Sequence, residues 1–308
     1  MKKIIILAII IATFLFSADL SAQNARLILA GSFKGYGDIY SPEIVGNRMY
    51  FGGWFNQNDY PCDAIWVTDL KNLSHVKRIL RLDSAQVNDP SIAGNKMFMT
   101  YNPDIFLPDL DVPVAEKKVN KTYSPSTFDI TRQKVAVSTI INNDSVSQPF
   151  PIIENAWLPS AILTDNLYLY YTVAGTSQLM RATLSGDVVV KKVLTLFDSA
   201  AMPNFYPVNV NVQFYNGLYY LIGDYNYNSN GTIINALGLW LSKDGVNFTS
   251  YKNNPVIRPD SDNIIARTAC FIKTGNRLKI WFGQQKKDWW KNAIFYKQVK
   301  IKNVVGMK

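Results

Sequence analysis

The sequence predicts an all-β chain folded as a five-bladed β-propeller, and three observations carry that prediction. Helix signals are nearly absent, while short alternating or apolar runs rich in Tyr, Phe, Val and Ile recur between Gly, Asn and Asp turns. One unit returns five times: an entry strand, a turn with Gly or Asn, then an aromatic-rich strand. Residues 23–308 divide into five such units of about 57 residues, the size of a four-stranded blade.

The first copy runs Ser41-Pro42-Glu43-Ile44-Val45, turn Gly46-Asn47, then Met49 to Trp54. The second runs Asp89-Pro90-Ser91-Ile92-Ala93, turn Gly94-Asn95, then Met97 to Tyr101. Leu158-Pro159-Ser160-Ala161-Ile162, turn Asp165-Asn166 and Leu167 to Tyr171 make the third. The fourth is Tyr206-Pro207 to Val212, turn Asn216-Gly217, then Leu218 to Leu221; the fifth, without the proline, is Arg267 to Phe271, turn Gly275-Asn276, then Leu278 to Phe282. Outer strands follow at 64–67 and 75–80, at 179–182 and 188–190, at 237–241, and at 293–296. In the second unit they fall within 120–147, after a Pro/Asp-rich insertion at 102–114. The segment Ala25 to Leu29 is available to complete the fifth blade and close the ring. A long sandwich or solenoid is the competing fold, but it would not need a proline at one strand position in four copies.

Residues 1–22 read as a secretory signal: Lys2-Lys3, a 13-residue run from Ile4 to Phe16 too short for a comfortable span, then small residues ending at Ala22. The expectation is a single domain over 23–308, exported to the periplasm or beyond, with no membrane span once the signal is removed, and a monomer. Composition narrows the chemistry. At 48% hydrophobic and 18% charged residues the chain can bury a core. The single histidine, His75, excludes a multi-histidine metal site and sits on an outer strand, which points to the surface. No phosphate loop, dinucleotide fingerprint or metal-ligand cluster occurs, so no cofactor and no metal are expected. Cys62 and Cys270 are too few for a disulfide framework, although an oxidising compartment permits them to pair. Residues 267–308 hold eleven Lys/Arg and one acid, leaving the preceding 266 residues near neutral. That basic segment is either a solvated face or a contact for an acidic polysaccharide or anionic envelope surface; nucleic acid is a poor partner for an exported chain.

Inner strands of a propeller line a shared funnel. Aligning the copies on proline places Ser41, Asp89, Leu158 and Tyr206 before it and Glu43, Ser91, Ser160 and Val208 beyond it, with Arg267 at the corresponding place in the fifth copy. Glu43, an acid inside an entry strand, needs a partner, and Arg267 is one choice. Trp54, Tyr60, Trp157 and Phe205-Tyr206 fall near the entries, where aromatic rings can stack on sugar faces. Trp66, Trp240 and Trp281 read as packing between blades, and Trp289-Trp290 as either an exposed platform or packing.

Three segments carry a resemblance: Val87-Asn88-Asp89-Pro90-Ser91-Ile92, the repeated Gly-Asn turn before an aromatic strand, and Leu241-Ser242-Lys243-Asp244-Gly245-Val246-Asn247-Phe248 leading to Asn254-Pro255-Val256-Ile257. In these the chain resembles the five-bladed propeller glycosidases, the superfamily of family 43 arabinanases and xylosidases and of invertases and levanases. The resemblance implies carboxylates at the entries of the first three blades. Asp89 matches the second. The first position holds Ser41, with Asp38 and Glu43 nearby, and the third holds Leu158, with Glu154 four residues earlier. The resemblance also implies a carbohydrate-active protein acting on an oligo- or polysaccharide, and the basic C-terminal segment allows an acidic one. If it hydrolyses, Asp89 stabilises the transition state or acts as base, Glu43 is base or nucleophile and Glu154 is acid. Ser41, Ser91, Trp54, Trp157, Tyr206 and Arg267 would hold the sugar. The alternative is a non-catalytic glycan-binding or envelope surface protein on the same scaffold.

Overall fold

The computed structural model describes residues 25–30, 38–55, 63–83, 85–103, 130–142, 144–198, 207–229, 232–259, 264–286 and 293–301. Five sheets, antiparallel but for one added edge strand, form a ring, each with one strand innermost: the predicted five-bladed β-propeller.

Blade one is β2 (Asp38–Val45), β3 (Arg48–Trp54), β4 (Ala64–Asp69) and β5 (Asn72–Arg81). Blade two is β6 (Gln86–Ala93), β7 (Lys96–Asn102), β8 (Lys134–Asn142) and β10 (Phe150–Glu154), with the short β9 (Ser145–Val146) pairing β8. Its outermost strand therefore lies beyond the 120–147 expected, and Glu154, expected in a loop, ends that strand. Blade three is β11 (Ala156–Leu163), β12 (Leu167–Val173), β13 (Leu179–Ser185) and β14 (Val188–Leu194). Blade four is β16 (Asn211–Tyr215), β17 (Leu218–Ser229), β18 (Thr232–Ser242) and β19 (Asn247–Ser250), with β15 (Leu196–Phe197) added in parallel at its outer edge. Its entry strand starts later than the sequence suggested. Blade five is β20 (Ile264–Thr274), β21 (Arg277–Lys286) and β22 (Ala293–Lys300), completed by β1 (Arg26–Ala30) from the start of the chain. That strand covers an edge that would otherwise present unpaired backbone.

The hydrophobic core is divided in the same way, into five clusters that each fill one gap between neighbouring blades. Met97 and Met99 meet Ile65 and Val67 between blades one and two, and Phe98 and Val135 meet Leu169 and Tyr171 between two and three. Tyr170 meets Leu221 and Trp240 between three and four, while Ile222 and Leu239 meet Phe271 and Phe282 between four and five. Trp281 and Cys270 meet Phe51 and Trp66 where the ring closes. The tryptophans expected between blades are thus all there. This division follows from strand alternation: each sheet is apolar on both faces because each has a neighbour on both sides. His75 is exposed on β5, the outermost strand of its blade.

Candidate functional site

Each blade is strained at one point in or just before its entry strand. Ser41, Asp89, Leu158, Asn209 and Thr268, one residue per blade, all have positive φ, between 49° and 54°. At four of them the pairing with the second strand slips by a bulge, between Tyr40 and Glu43, Asn88 and Ser91, Trp157 and Ser160, and Arg267 and Ala269. A non-glycine residue in this region costs of order 1–3 kcal/mol and survives only where its surroundings fix it. A fivefold repeat of that strain marks the funnel.

The ring corrects two alignments. The fourth-blade member is Asn209, three residues past Tyr206, which lies outside the described residues. The fifth is Thr268, one residue past Arg267. The five residues line a small pocket of about 30 Å³ with Pro42, Glu43, Pro90, Ser91, Pro159, Val210, Asn211 and Ala269. That recess has room for ordered water among these side chains.

Two layers of hydrogen bonds fix the wall. In the deeper one, the residue two beyond each strained position accepts a backbone N–H from the next blade. Glu43 Oε1 accepts from Ile92 N at 3.4 Å, Ser91 Oγ from Ala161 N at 2.9 Å and Ser160 Oγ from Val212 N at 2.9 Å. Cys270, a free buried thiol, accepts from Ile44 N. The fourth member, Asn211, breaks the pattern: its Nδ2 donates 3.0 Å to Glu43 Oε2, and its Oδ1 is buried without a partner. Glu43 thus pairs with Asn211, not with Arg267 as the sequence allowed, and burial pushes its carboxyl up to about 8, against the bonds from Ile92 and Asn211.

In the shallower layer, side chains of the second strand or of the ring itself receive the N–H of the strained residues. Thr100 Oγ1 accepts from Leu158 N at 2.9 Å, Asp224 Oδ1 from Thr268 N at 3.1 Å and Thr268 Oγ1 from Ser41 N at 3.3 Å. Asp89 is buried, with Ser41 Oγ donating to Oδ1 and Thr100 Oγ1 donating to Oδ2 at 2.8 Å. Asp224 Oδ2 accepts from Asn209 Nδ2. Burial raises both carboxyls, Asp224 to about 7, while the nearby Arg267 guanidinium pulls each down. Asp224 as a residue keeps some exposure, but its carboxylate is enclosed by the ring. It went unnoticed in the sequence because it lies on a second strand, not at a blade entry; the available signal was an acid inside the apolar run Leu218 to Tyr225.

The expected site residues fall into three groups. Asp89, Glu43, Ser41 and Ser91 converge on the pocket, although the hydroxyls of Ser41 and Ser91 are engaged by Asp89 and by blade three. Arg267 and Trp157 each directly precede a ring member and are half-buried, and a buried nitrogen of each, Arg267 Nε and Trp157 Nε1, lacks a partner among the described residues; Arg267 is near enough to act on Asp89 and Asp224. Glu154 is elsewhere: its side chain is 72% exposed and pairs with Lys134 at 3.0 Å on the outer strands of blade two. The side chain of Trp54, and Tyr60, Cys62, Phe205, Tyr206, Trp289, Trp290 and residues 1–22, lie outside the described residues. Among the described residues no group of three or more His, Cys, Asp or Glu could hold a metal ion, and no helix is long and apolar enough to cross a membrane.

No family model and no curated protein matches the sequence. Solved structures do match the fold. A protein described as a glycoside hydrolase superposes with a TM-score of 0.61 at 11% identity, over 92% of this chain and 94% of its own. An endo-1,4-beta-xylanase from Bacteroides thetaiotaomicron gives 0.58 at 16%, over 86% and 92%. The GH43 protein BlXynB from Bacillus licheniformis gives 0.56 at 13%, over 89% of this chain but only 55% of that protein. The chain has the five-bladed fold of these glycosidases.

Proposed function

We propose that this protein binds a glycan at the mouth of the funnel and is a glycan-binding relative of the propeller glycosidases, exported by its N-terminal signal. One observation carries the reading. Of the three carboxylate positions the resemblance implies, one holds Ser41, whose hydroxyl is bonded to Asp89, and another holds Leu158. Hydrolysis needs an acid and a second carboxylate on either side of the scissile bond, roughly 5–10 Å apart. Glu154 points away, and both oxygens of Glu43 and of Asp89 are taken by protein donors. Two residues next to ring members support the reading: Trp157, whose ring is of the kind that stacks on sugar faces, and Arg267, whose guanidinium acts on both Asp89 and Asp224. Stacking and hydrogen bonding to hydroxyls are the chemistry of sugar recognition.

The test is a binding and hydrolysis screen of the whole protein against neutral plant and bacterial oligosaccharides. Binding without release of reducing ends, weakened about tenfold by Arg267→Gln or Trp157→Ala, is expected. Turnover abolished by Asp89→Asn would overturn it in favour of a second reading, hydrolysis by Asp89 and Asp224. That reading is favoured by one observation: Asp224 sits near neutrality and feels the charges of both Asp89 and Arg267, the environment of a general acid.

A further inference from the structure

The positive charge of the C-terminal segment is not spread evenly over blade five. On β21, Leu278, Ile280 and Phe282 pack toward blade four, while Trp281 packs toward blade one. On β22, Phe295 and Val299 take the first side, Ile294 and Tyr296 the second. Alternation therefore assigns Arg277, Lys279 and Lys300 to the side facing blade one. Arg277 and Lys300 are direct cross-strand partners, and Lys279 lies one step along the same face, opposite Gln298. Arg26 on β1, opposite Tyr296, joins that face. Across the gap, Arg78 of β5 lies over Trp66 at 5.9 Å.

Like charges directly opposite one another on a sheet are unfavourable. Among the described residues nothing offsets them. Blade five has no acidic residue among its described positions, and among the described residues Arg26, Arg277, Lys279 and Lys300 form no ion pair or hydrogen bond. Elsewhere the same far end of the propeller does pair its charges: Arg48 with Asp144, Lys77 with Asp144 and Lys96 with Asp187. At the end opposite the funnel, blade five thus gathers cations that meet no acid of its own among the described residues.

We propose that this face of blade five, with the edge of blade one, is a second binding surface that takes a polysaccharide bearing carboxylate or sulfate groups. Two features favour a sugar chain over an acidic bilayer. Two arginines offer forked donors suited to planar carboxylate. Membrane-surface binding adds buried apolar area, yet the one exposed large apolar side chain on the described part of blade five, Leu27, points to the opposite face. The inference is independent of what the funnel binds.

The test measures binding of the whole protein to polygalacturonate and to dextran sulfate, with neutral dextran and phosphatidylserine vesicles as controls. The expected result is binding to a polyanion that weakens at least tenfold between 50 and 500 mM NaCl, as screening requires. The triple variant Arg277→Gln/Lys279→Gln/Lys300→Gln should lose at least tenfold in affinity while melting no lower than the parent, since it removes mutual repulsion. Undiminished binding by that variant, equal binding of neutral dextran, or capture by vesicles without capture by polyanions would overturn the proposal. The triple variant should keep the parent's binding of neutral oligosaccharides, which separates this surface from the funnel.

Discussion

Asn211 of the fourth blade donates its Nδ2 to Glu43 Oε2 of the first, 3.0 Å across the axis, although neither blade is the other's neighbour in the ring. Every other bond described in that layer joins adjacent blades. The cross-axis bond ties the floor of the funnel together, and it makes the protonation of Glu43 a property of the whole ring.

Stability should therefore fall as pH rises through the range between the unfolded and native values of Glu43. Its carboxyl moves from an ordinary 4.5 up to about 8 in the fold, so between those values the native state holds a proton that the unfolded state has released. Below about 4.5 both states are protonated and nothing is lost; above about 8 the loss is complete. Each unit of separation is worth about 1.4 kcal/mol. Glu43→Gln should flatten the decline of melting temperature between pH 5 and 8 and melt higher than the parent at pH 8. A parallel decline in both proteins would refute it. Asp224, with its native value near 7, adds to the same slope, and Asp224→Asn should remove a separate part of it.

Ser160→Ala should cost about 1–3 kcal/mol in urea unfolding, because Val212 N–H would then be buried with no acceptor. Ser91→Ala should cost a similar amount through Ala161 N. Ser74→Ala, on the exposed outer strand of blade one, should cost within about 0.5 kcal/mol.

Gly283→Ala should destabilise although the glycine has an ordinary φ. A Cβ there would lie 2.8 Å from Thr268 Oγ1 and 3.3 Å from Arg267 O. Blade five lacks a side chain at this position, and Thr268 uses the space to accept from Ser41 N. The substitution should lower the melting temperature by several degrees, and melting within a degree of the parent would show that the ring can shift to make room.

Deleting residues 1–30 should remove β1 and leave the long outer edge of β22 open. Light scattering should then detect association that the parent does not show, because an unpaired strand edge templates pairing with other chains. A monodisperse, fully folded product would count against closure by β1.

Five blades could be read from the sequence because turns and aromatic strands recur in phase, and that periodicity is what packs each blade against two neighbours. Entry positions were legible only where proline follows the strained residue, at Ser41, Asp89 and Leu158. The backbone requires a positive φ, and Asn209-Val210 and Thr268-Ala269 meet it without proline. Asparagine tolerates that conformation well, so Asn209 was the better marker in blade four than Pro207. Partnerships were least legible. No spacing rule pairs Glu43 with a residue 168 positions away, nor shows that Glu154 turns outward to Lys134 while Asp224 turns in.

The strand that completes blade five also sets an order of events during folding. Arg26 precedes its partner Tyr296 by 270 residues. Four blades can form while β1 waits, and the circle shuts only when the final hairpin folds. Until then the molecule is an open arc with two raw ends. A strand from the beginning of the propeller is thus among the last to be placed, and its docking turns the arc into a ring.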